Sequence, residues 1–257
     1  MSIIAMAVYS TEENKKDKCL EQTLASLHKT VDWKKHKIML SVNGATQTTK
    51  DIIYTWRNII SNVYWNDTNL GTAEAVNKCW ANREPDEHCI KMDDDIVIHQ
   101  SGWVEELEAV VAIDQMIGQA ALKRKDLRQC PQEESHWFKS ELVMLPHVAG
   151  ERWRIVERTR DIMGSCVLHS AALVNKVGGL KQFGGYGFDD STMSVRSRCA
   201  GFYNVFLPHI EIDHIDEGGT EYQKWKEKEA SLAWQKFLEL AKAYESGTED
   251  LYYPLTK

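Results

Sequence analysis

The stretch IKMDDDIVIHQSGW, Ile90–Trp103, runs an apolar segment directly into three consecutive aspartates. Working outward from it, the chain upstream is a series of short apolar runs and polar turns. Ile3–Tyr9 and Lys37–Val42 read as strands, separated by KCLEQTLASLHKTVDW, in which Leu20, Leu24 and Leu27 fall at helical spacing. A helix-like TKDIIYTWRNIISN, a short strand VYWN, a helix from Thr72 to Ala81 and a strand HCIKM then lead into the aspartates. Strands alternating with helices of this length predict a single α/β domain with a Rossmann-like, mostly parallel sheet covered on both faces. Ligands of such sheets bind beyond the carboxyl ends of the strands, which is where the aspartates sit. SVNGAT (Ser41–Thr46) and NDTNLGT (Asn66–Thr72) follow two other strands, so three polar loops are predicted to meet at one edge.

Downstream, SGWVEELEAVVAI predicts a helix with Ser101 near its N-cap. From about Ala120 to Asp161 the pattern is irregular, interrupted by Pro131, Pro146 and Gly150. IMGSCVLHS then reads as a strand and AALVNKVGGL as a helix ending at Gly178 or Gly179. NVFLPHIEIDHID reads as one or two strands. YQKWKEKEASLAWQKFLELAKAYES reads as a long C-terminal helix whose apolar stripe docks on the domain or offers a dimer contact. The expected division is 1–220 for the domain and 221–257 for the helix and tail.

The net charge of −7 argues against non-specific attraction to nucleic acid or to an anionic membrane. No apolar stretch reaches the roughly 18–20 residues of a membrane span, and the N-terminus lacks the basic and small-residue flanks of a secretion signal. The six cysteines are scattered without zinc-site spacing and read as reduced thiols. A cytoplasmic location is expected.

Hard divalent cations prefer carboxylate oxygens, and a metal shared with a diphosphate needs only one or two of them from the protein. Asp93-Asp94-Asp95 suits such a site. Four segments in order carry a resemblance: NLGTAEAVNKCW, KMDDDIVIHQSGWVEEL, IMGSCVLHSAALVNKVGGL and YGFDDSTMSVRSRCAGF. Together, over roughly Ile3 to Asp216, the sequence resembles the family 2 glycosyltransferases of GT-A fold. The resemblance implies transfer of a sugar from a nucleotide diphosphate sugar, UDP favoured, to an acceptor hydroxyl, with inversion and with Mn2+ or Mg2+. It places Asp93 and Asp95 on the outer positions of a D-x-D motif, Asp93 and Asp94 toward the donor and Asp95 on the metal. His214, just past a late strand, takes the place of a metal-binding histidine, with His209 and Asp213 as competitors; neutral imidazole is an acceptable Mn2+ ligand. Asp190 falls where inverting members keep a general base, with Asp189 orienting it and Arg196 on the motif's arginine. The donor pocket takes Tyr9, Asn43, Asn69, Gly71 and Asn77. Val42 and Thr192 depart from the pattern, each standing where the family carries an acid.

For the acceptor, RWRIVERTR, if extended, places Arg152, Arg154, Arg158 and Arg160 on one face. Arginine forks suit phosphates, so this strip is a candidate for the diphosphate or an anionic acceptor, with Trp137 and Trp153 available for stacking. A glycan or other hydroxyl compound is the expected acceptor. A hydroxymethylated base of DNA, exposed or flipped out, is the second reading. A third is a sugar-binding or assembly protein that kept the fold and lost catalysis.

Overall fold

The architecture is that of a computed structural model describing residues 1–128, 140–183, 186–215 and 220–255 of the 257-residue chain. Ten strands form one sheet: β1 (Ser2–Tyr9), β2 (Lys37–Gly44), β3 (Ile60–Trp65), β4 (His88–Met92), β5 (Ile96–Ile98), β6 (Ile117–Arg124), β7 (Ser140–Met144), β8 (Ile155–Thr159), β9 (Cys166–His169) and β10 (Tyr203–His214). The order is β3-β2-β1-β4-β9-β6-β10-β8-β7, with β5 pairing the end of β10. β3, β2, β1, β4, β6 and β10 run the same way, and β9 is inserted against them between β4 and β6. The mostly parallel sheet is therefore present.

The helices are α1 (Asp17–Thr30), α2 (Gln47–Thr55), α3 (Thr72–Trp80), α4 (Trp103–Ile113), α5 (Ala171–Val177), α6 (Asp189–Cys199) and α7 (Thr220–Glu245). Alternation along β1 supplies both faces of the sheet. Ile4, Met6 and Val8 pack with Leu20, Leu24 and Leu27 of α1, Ile52 and Ile53 of α2 and Trp103 and Leu107 of α4. Ile3 and Ala5 pack with Val76 and Trp80 of α3, Leu173 and Val174 of α5 and Met193 of α6. α7 lies outside this second layer, setting Phe237 and Tyr244 against Val195 of α6.

Three boundaries differ from the sequence reading. α2 stops at Thr55, because Ile60 onward pairs with β2 and the residues expected to extend the helix serve the sheet. Gly102, at φ +75°, occupies the N-cap of α4 in place of Ser101. The interval expected to be irregular contains the interior strand β6 and the antiparallel hairpin β7–β8. β6 is short of branched residues because helix α6 crosses it closely: a methyl on Gly118 would lie 2.5 Å from Ser197 Oγ.

Candidate active site

The carboxyl ends of β1, β2, β4 and β6 open into a cavity of about 910 Å3. Tyr9, Asn43, Asn69, Gly71, Asp93, Asp94, Asp95, Asp189, Asp190 and His214 all line it, so the topology gathers most of the predicted site.

The acidic turn after β4 is held in place by α1. Thr23 Oγ1 donates to Asp94 O (3.0 Å) and accepts from Ile96 N (3.1 Å). The pairing of β5 with β10 sets His214 opposite Ile96, and Ile215 N donates to Asp95 O at 2.9 Å. That register brings His214 Nε2 to 3.4 Å from Asp95 Oδ1. His209 instead faces Glu106, and Asp213 pairs with His99 and Lys125 away from the aspartates. Of the three late-strand candidates, His214 alone joins Asp95.

Asp95 Oδ1 is buried and accepts no hydrogen bond, while Oδ2 takes one from Lys16 Nζ at 2.8 Å. A buried carboxylate oxygen without a donor is costly, and an oxygen beside an imidazole nitrogen fits a divalent cation whose remaining ligands come from a diphosphate. No three His, Cys, Asp or Glu side chains converge as a metal cage among the described residues; Asp95 and His214 are the pair that could hold a cation there.

The second acidic group assembles around Lys91, which breaks the apolar run of β4. Its Nζ lies 2.9 Å from Asp190 Oδ2, 3.3 Å from Asp93 Oδ1 and 3.7 Å from Asp189 Oδ2. Burial works against its charge, but Asp190, Asp93 and Asp189 outweigh that and hold the ammonium well above the ordinary lysine value. Three carboxylates around one cation leave excess negative charge. Burial and the neighbouring Asp189 push Asp190 up to about 7 in spite of Lys91; burial and the adjoining aspartates likewise push Asp94 up to about 7. Gly164 makes room for this arrangement, since a Cβ there would lie 1.8 Å from Asp190 Cγ. Lys16 and Lys91 were not among the predicted site residues; a lysine two residues before the aspartates, inside an apolar strand, was the available signal.

Asp189 and Asp190 open α6 after Gly187 (φ +95°) and Phe188 (φ +64°). A left-handed phenylalanine is uncommon and needs support. It receives it from α7, where Phe237 stacks on its ring at 5.0 Å and Trp234 lies 5.5 Å away.

On the donor side, Asn43 ties the β2 turn to the next loop. Its Nδ2 donates to Gly71 O (3.1 Å), and its Oδ1 accepts from Leu70 N and Asn66 Nδ2. Asn69 Oδ1 accepts from Gly71 N at 2.8 Å, and Gly71, at φ +79°, packs against Gln182. Tyr9 N reaches Asp94 Oδ2 at 3.5 Å.

Several expected residues lie elsewhere. Asn77 is fully buried on α3, and both ends of its amide pair with the backbone of Leu180 at 2.8 Å, so it braces the fold and does not line the cavity. Arg196 is also fully buried, donating to the carbonyls of Val177, Gly179 and Leu251. The arginine strip does not form, because β8 begins only at Ile155. Arg152 and Arg154 pair with Glu106, Arg158 lies over the Tyr203 ring, and none of the three lines the cavity. Trp137 lies outside the described residues.

By sequence, the chain matches no family model and no curated protein. Solved structures do match. PcManGT, a mannosyltransferase of Pyrobaculum calidifontis solved with GDP-Man and Mn2+, superposes with a TM-score of 0.64 at 14% identity, covering 87% of this chain and 59% of that one. TarS 1–349 of S. aureus gives 0.59 at 16% identity, covering 84% and 60%; the same protein has been solved with UDP-GlcNAc. GalNAc-T7, solved with UDP, GalNAc and Mn2+, gives 0.58 at 13% identity, covering 84% and 44%. The chain spans about three fifths of the length of the first two. Its fold is the GT-A fold of these glycosyltransferases.

Proposed function

We propose that this chain is a metal-dependent glycosyltransferase that moves a sugar from a nucleotide diphosphate sugar, UDP favoured, to a hydroxyl of a glycan or other acceptor, with inversion. The observation that carries the reading is the division of the cavity's acids. One pair, Asp95 with His214, offers an orphaned oxygen beside a nitrogen; the other centre is a half-buried Asp190 whose pKa is pushed up to about 7. Asp95 and His214 would hold a divalent cation, Mn2+ or Mg2+, which would supply positive charge to a departing diphosphate.

Asp190 takes the proton of the acceptor hydroxyl as its oxygen bonds to the anomeric carbon. The bond from that carbon to the diphosphate oxygen breaks, and its electron pair leaves with the diphosphate. A carboxylate titrating near 7 is matched to this task. Lys91 and the Asp189 carboxylate fix its position, and the Asn43–Gly71–Asn69 network shapes the loop on the nucleotide side. The donors printed for the structural neighbours, GDP-Man and UDP-GlcNAc, belong to the same chemical class.

A glycan-type acceptor ranks ahead of DNA because Arg152 and Arg154 pair with Glu106, and Arg152, Arg154 and Arg158 all lie off the cavity. The described cysteines are free thiols, in keeping with the expected reducing compartment. No helix among the described residues is long and apolar enough to cross a membrane.

The test is a panel of nucleotide sugars with Mn2+, reading release of nucleoside diphosphate and donor binding by calorimetry, with Asp95→Ala and Asp190→Asn alongside. One donor should turn over, and the activity should vanish with EDTA and in the Asp95 variant. Binding without turnover supports the non-catalytic sugar-binding reading. Absence of binding by every donor refutes the transferase.

A further inference from the structure

The same cavity has a wall that the donor and metal residues do not use. Tyr186, just before the Gly187–Phe188 turn, and Trp225, Lys226 and Trp234 of α7 all line it. The rings are set around one another: Tyr186 and Trp225 have centroids 6.0 Å apart, and Trp234 lies 5.5 Å from Phe188. Lys226 Nζ lies 5.4 Å from the Tyr186 ring centre. Tyr186, Trp225 and Trp234 nonetheless stay 36%, 37% and 37% exposed. Large rings that line a cavity and keep about a third of their surface exposed can contact a ligand seated there.

We propose that Tyr186, Trp225 and Trp234 form the acceptor subsite and that its ligand is a carbohydrate, seated by the apolar face of a pyranose ring. The inference rests on the transferase reading, which gives Asp190 the acceptor's proton. Tyr186 is four residues before Asp190, across the Gly187–Phe188 turn, and both line the cavity, so an acceptor reaching that carboxylate lies against this wall. The surrounding charge selects the class. Among the described residues, seven aspartates line the same cavity against Lys16, Lys91, Arg124 and Lys226, so acid exceeds base there. Carboxylates accept hydrogen bonds from sugar hydroxyls, whereas they repel the phosphates of a polynucleotide. Burial and Asp93 push the Tyr186 phenol up to about 12, so it keeps its proton as a donor.

The wall also explains why α7 belongs to the catalytic unit. Through Trp234 and Phe237 it braces the left-handed Phe188 that aims Asp189 and Asp190, and through Trp225 it meets the acceptor. One helix thus couples the seat of the acceptor to the position of the base.

The test uses the full chain and a panel of methyl pyranosides (gluco, galacto, manno and N-acetylgluco), read by saturation-transfer NMR with and without UDP or GDP plus Mn2+. At least one glycoside should show saturation of its ring protons. Trp225→Ala should weaken its binding about tenfold, and Trp225→Phe should restore most of it; circular dichroism of both variants checks that they fold. The proposal is overturned if no glycoside binds, if binding is indifferent to Trp225→Ala, or if a single-stranded oligonucleotide carrying a hydroxymethylated base binds in a Trp225-dependent way instead. Direct titration of UDP and GDP judges the transferase reading separately. Failure there refutes nucleotide-sugar use, while the nucleotide-free glycoside arm still decides this inference.

Discussion

Replacing Gly164 by alanine tests the catalytic assignment without touching an ionisable group. The added methyl would lie 1.8 Å from Asp190 Cγ and 1.9 Å from each carboxylate oxygen. Non-bonded carbons approach comfortably only to about 3.5–4.0 Å, so the carboxylate must move by roughly 1.5–2 Å. Such a move breaks its 2.9 Å contact with Lys91 Nζ and takes it from the acceptor hydroxyl. Gly164 is not among the glycines with left-handed backbone, so the alanine itself is conformationally acceptable. Misplacement by about 1 Å can cost a factor of about 100, and a general base contributes about 100- to 10,000-fold. The expected result is a kcat lower by about 100- to 1,000-fold, or about 2.7–4 kcal/mol of lost transition-state stabilisation. Donor affinity should stay within about twofold, because the donor's contacts are untouched. The assay pairs nucleoside diphosphate release with calorimetric donor binding. Turnover within threefold of wild type would falsify the assignment of Asp190 as base in this position.

Other perturbations separate the roles of the two acidic groups. Asp190 must be unprotonated to accept a proton, and its raised value of about 7 predicts that kcat/KM climbs as pH rises through about 7 and is level above it; a profile flat from pH 5 to 8 contradicts this. Lys91→Met removes the cation that lowers Asp190, so the acidic limb should move to higher pH, and the stranded buried carboxylates should cost about 3–5 kcal/mol of stability, read by urea unfolding. His214→Ala should weaken Mn2+ binding by about 10- to 100-fold in the presence of nucleoside diphosphate while leaving Tm within a few degrees; unchanged metal affinity removes His214 from the site. Arg196→Met leaves three buried backbone carbonyls without their donor, for a loss of about 3 kcal/mol and a fall in Tm of roughly 6–12 °C, with turnover per folded molecule retained; loss of turnover at unchanged stability would give Arg196 a direct catalytic role.

How much of this was legible depended on whether a residue's work is local. β1, β2, β4 and α1 announced themselves through apolar period because each buries its own face. The aspartates were legible because charge at the end of an apolar strand has few structural uses. β6 was not, because its small residues answer the close passage of α6 rather than any pattern of their own. Lys16 and Lys91 were missed for a related reason: the place of Lys91 inside an apolar strand marks it as unusual but does not name its partners, and Asp190 comes to it from 99 positions away. Asn77, expected at the donor, illustrates the converse error, and the motif arginine Arg196 is held in the same way. A motif position can be held by the fold, through the Leu180 backbone in one case and three carbonyls in the other, without any contact with the cavity. The arginine strip failed because period-two reasoning assumed a strand through Arg152 and Arg154, which precede β8.

The two lysines account for the division of labour among five neighbouring carboxylates. Lys16, from the start of α1, reaches Asp94 at 3.7 Å and Asp95 at 2.8 Å, and the register of β5 on β10 then adds His214 on the other oxygen of Asp95. That side of the turn has one oxygen satisfied and one left for a cation. Lys91, from inside β4, faces Asp93, Asp189 and Asp190 and cannot neutralise all three, so proton affinity rises at Asp190, the base of the proposed reaction. Pushing like groups apart in this way is how a site obtains separate acid–base roles from one residue type. Exchanging Lys16 or Lys91 for an apolar residue therefore has consequences confined to its own group: the first should alter metal and diphosphate binding, the second the pH at which Asp190 works. A double variant whose two effects fail to add in log units would show that the groups are electrostatically one cluster, and the separation argued from their contacts would have to be abandoned.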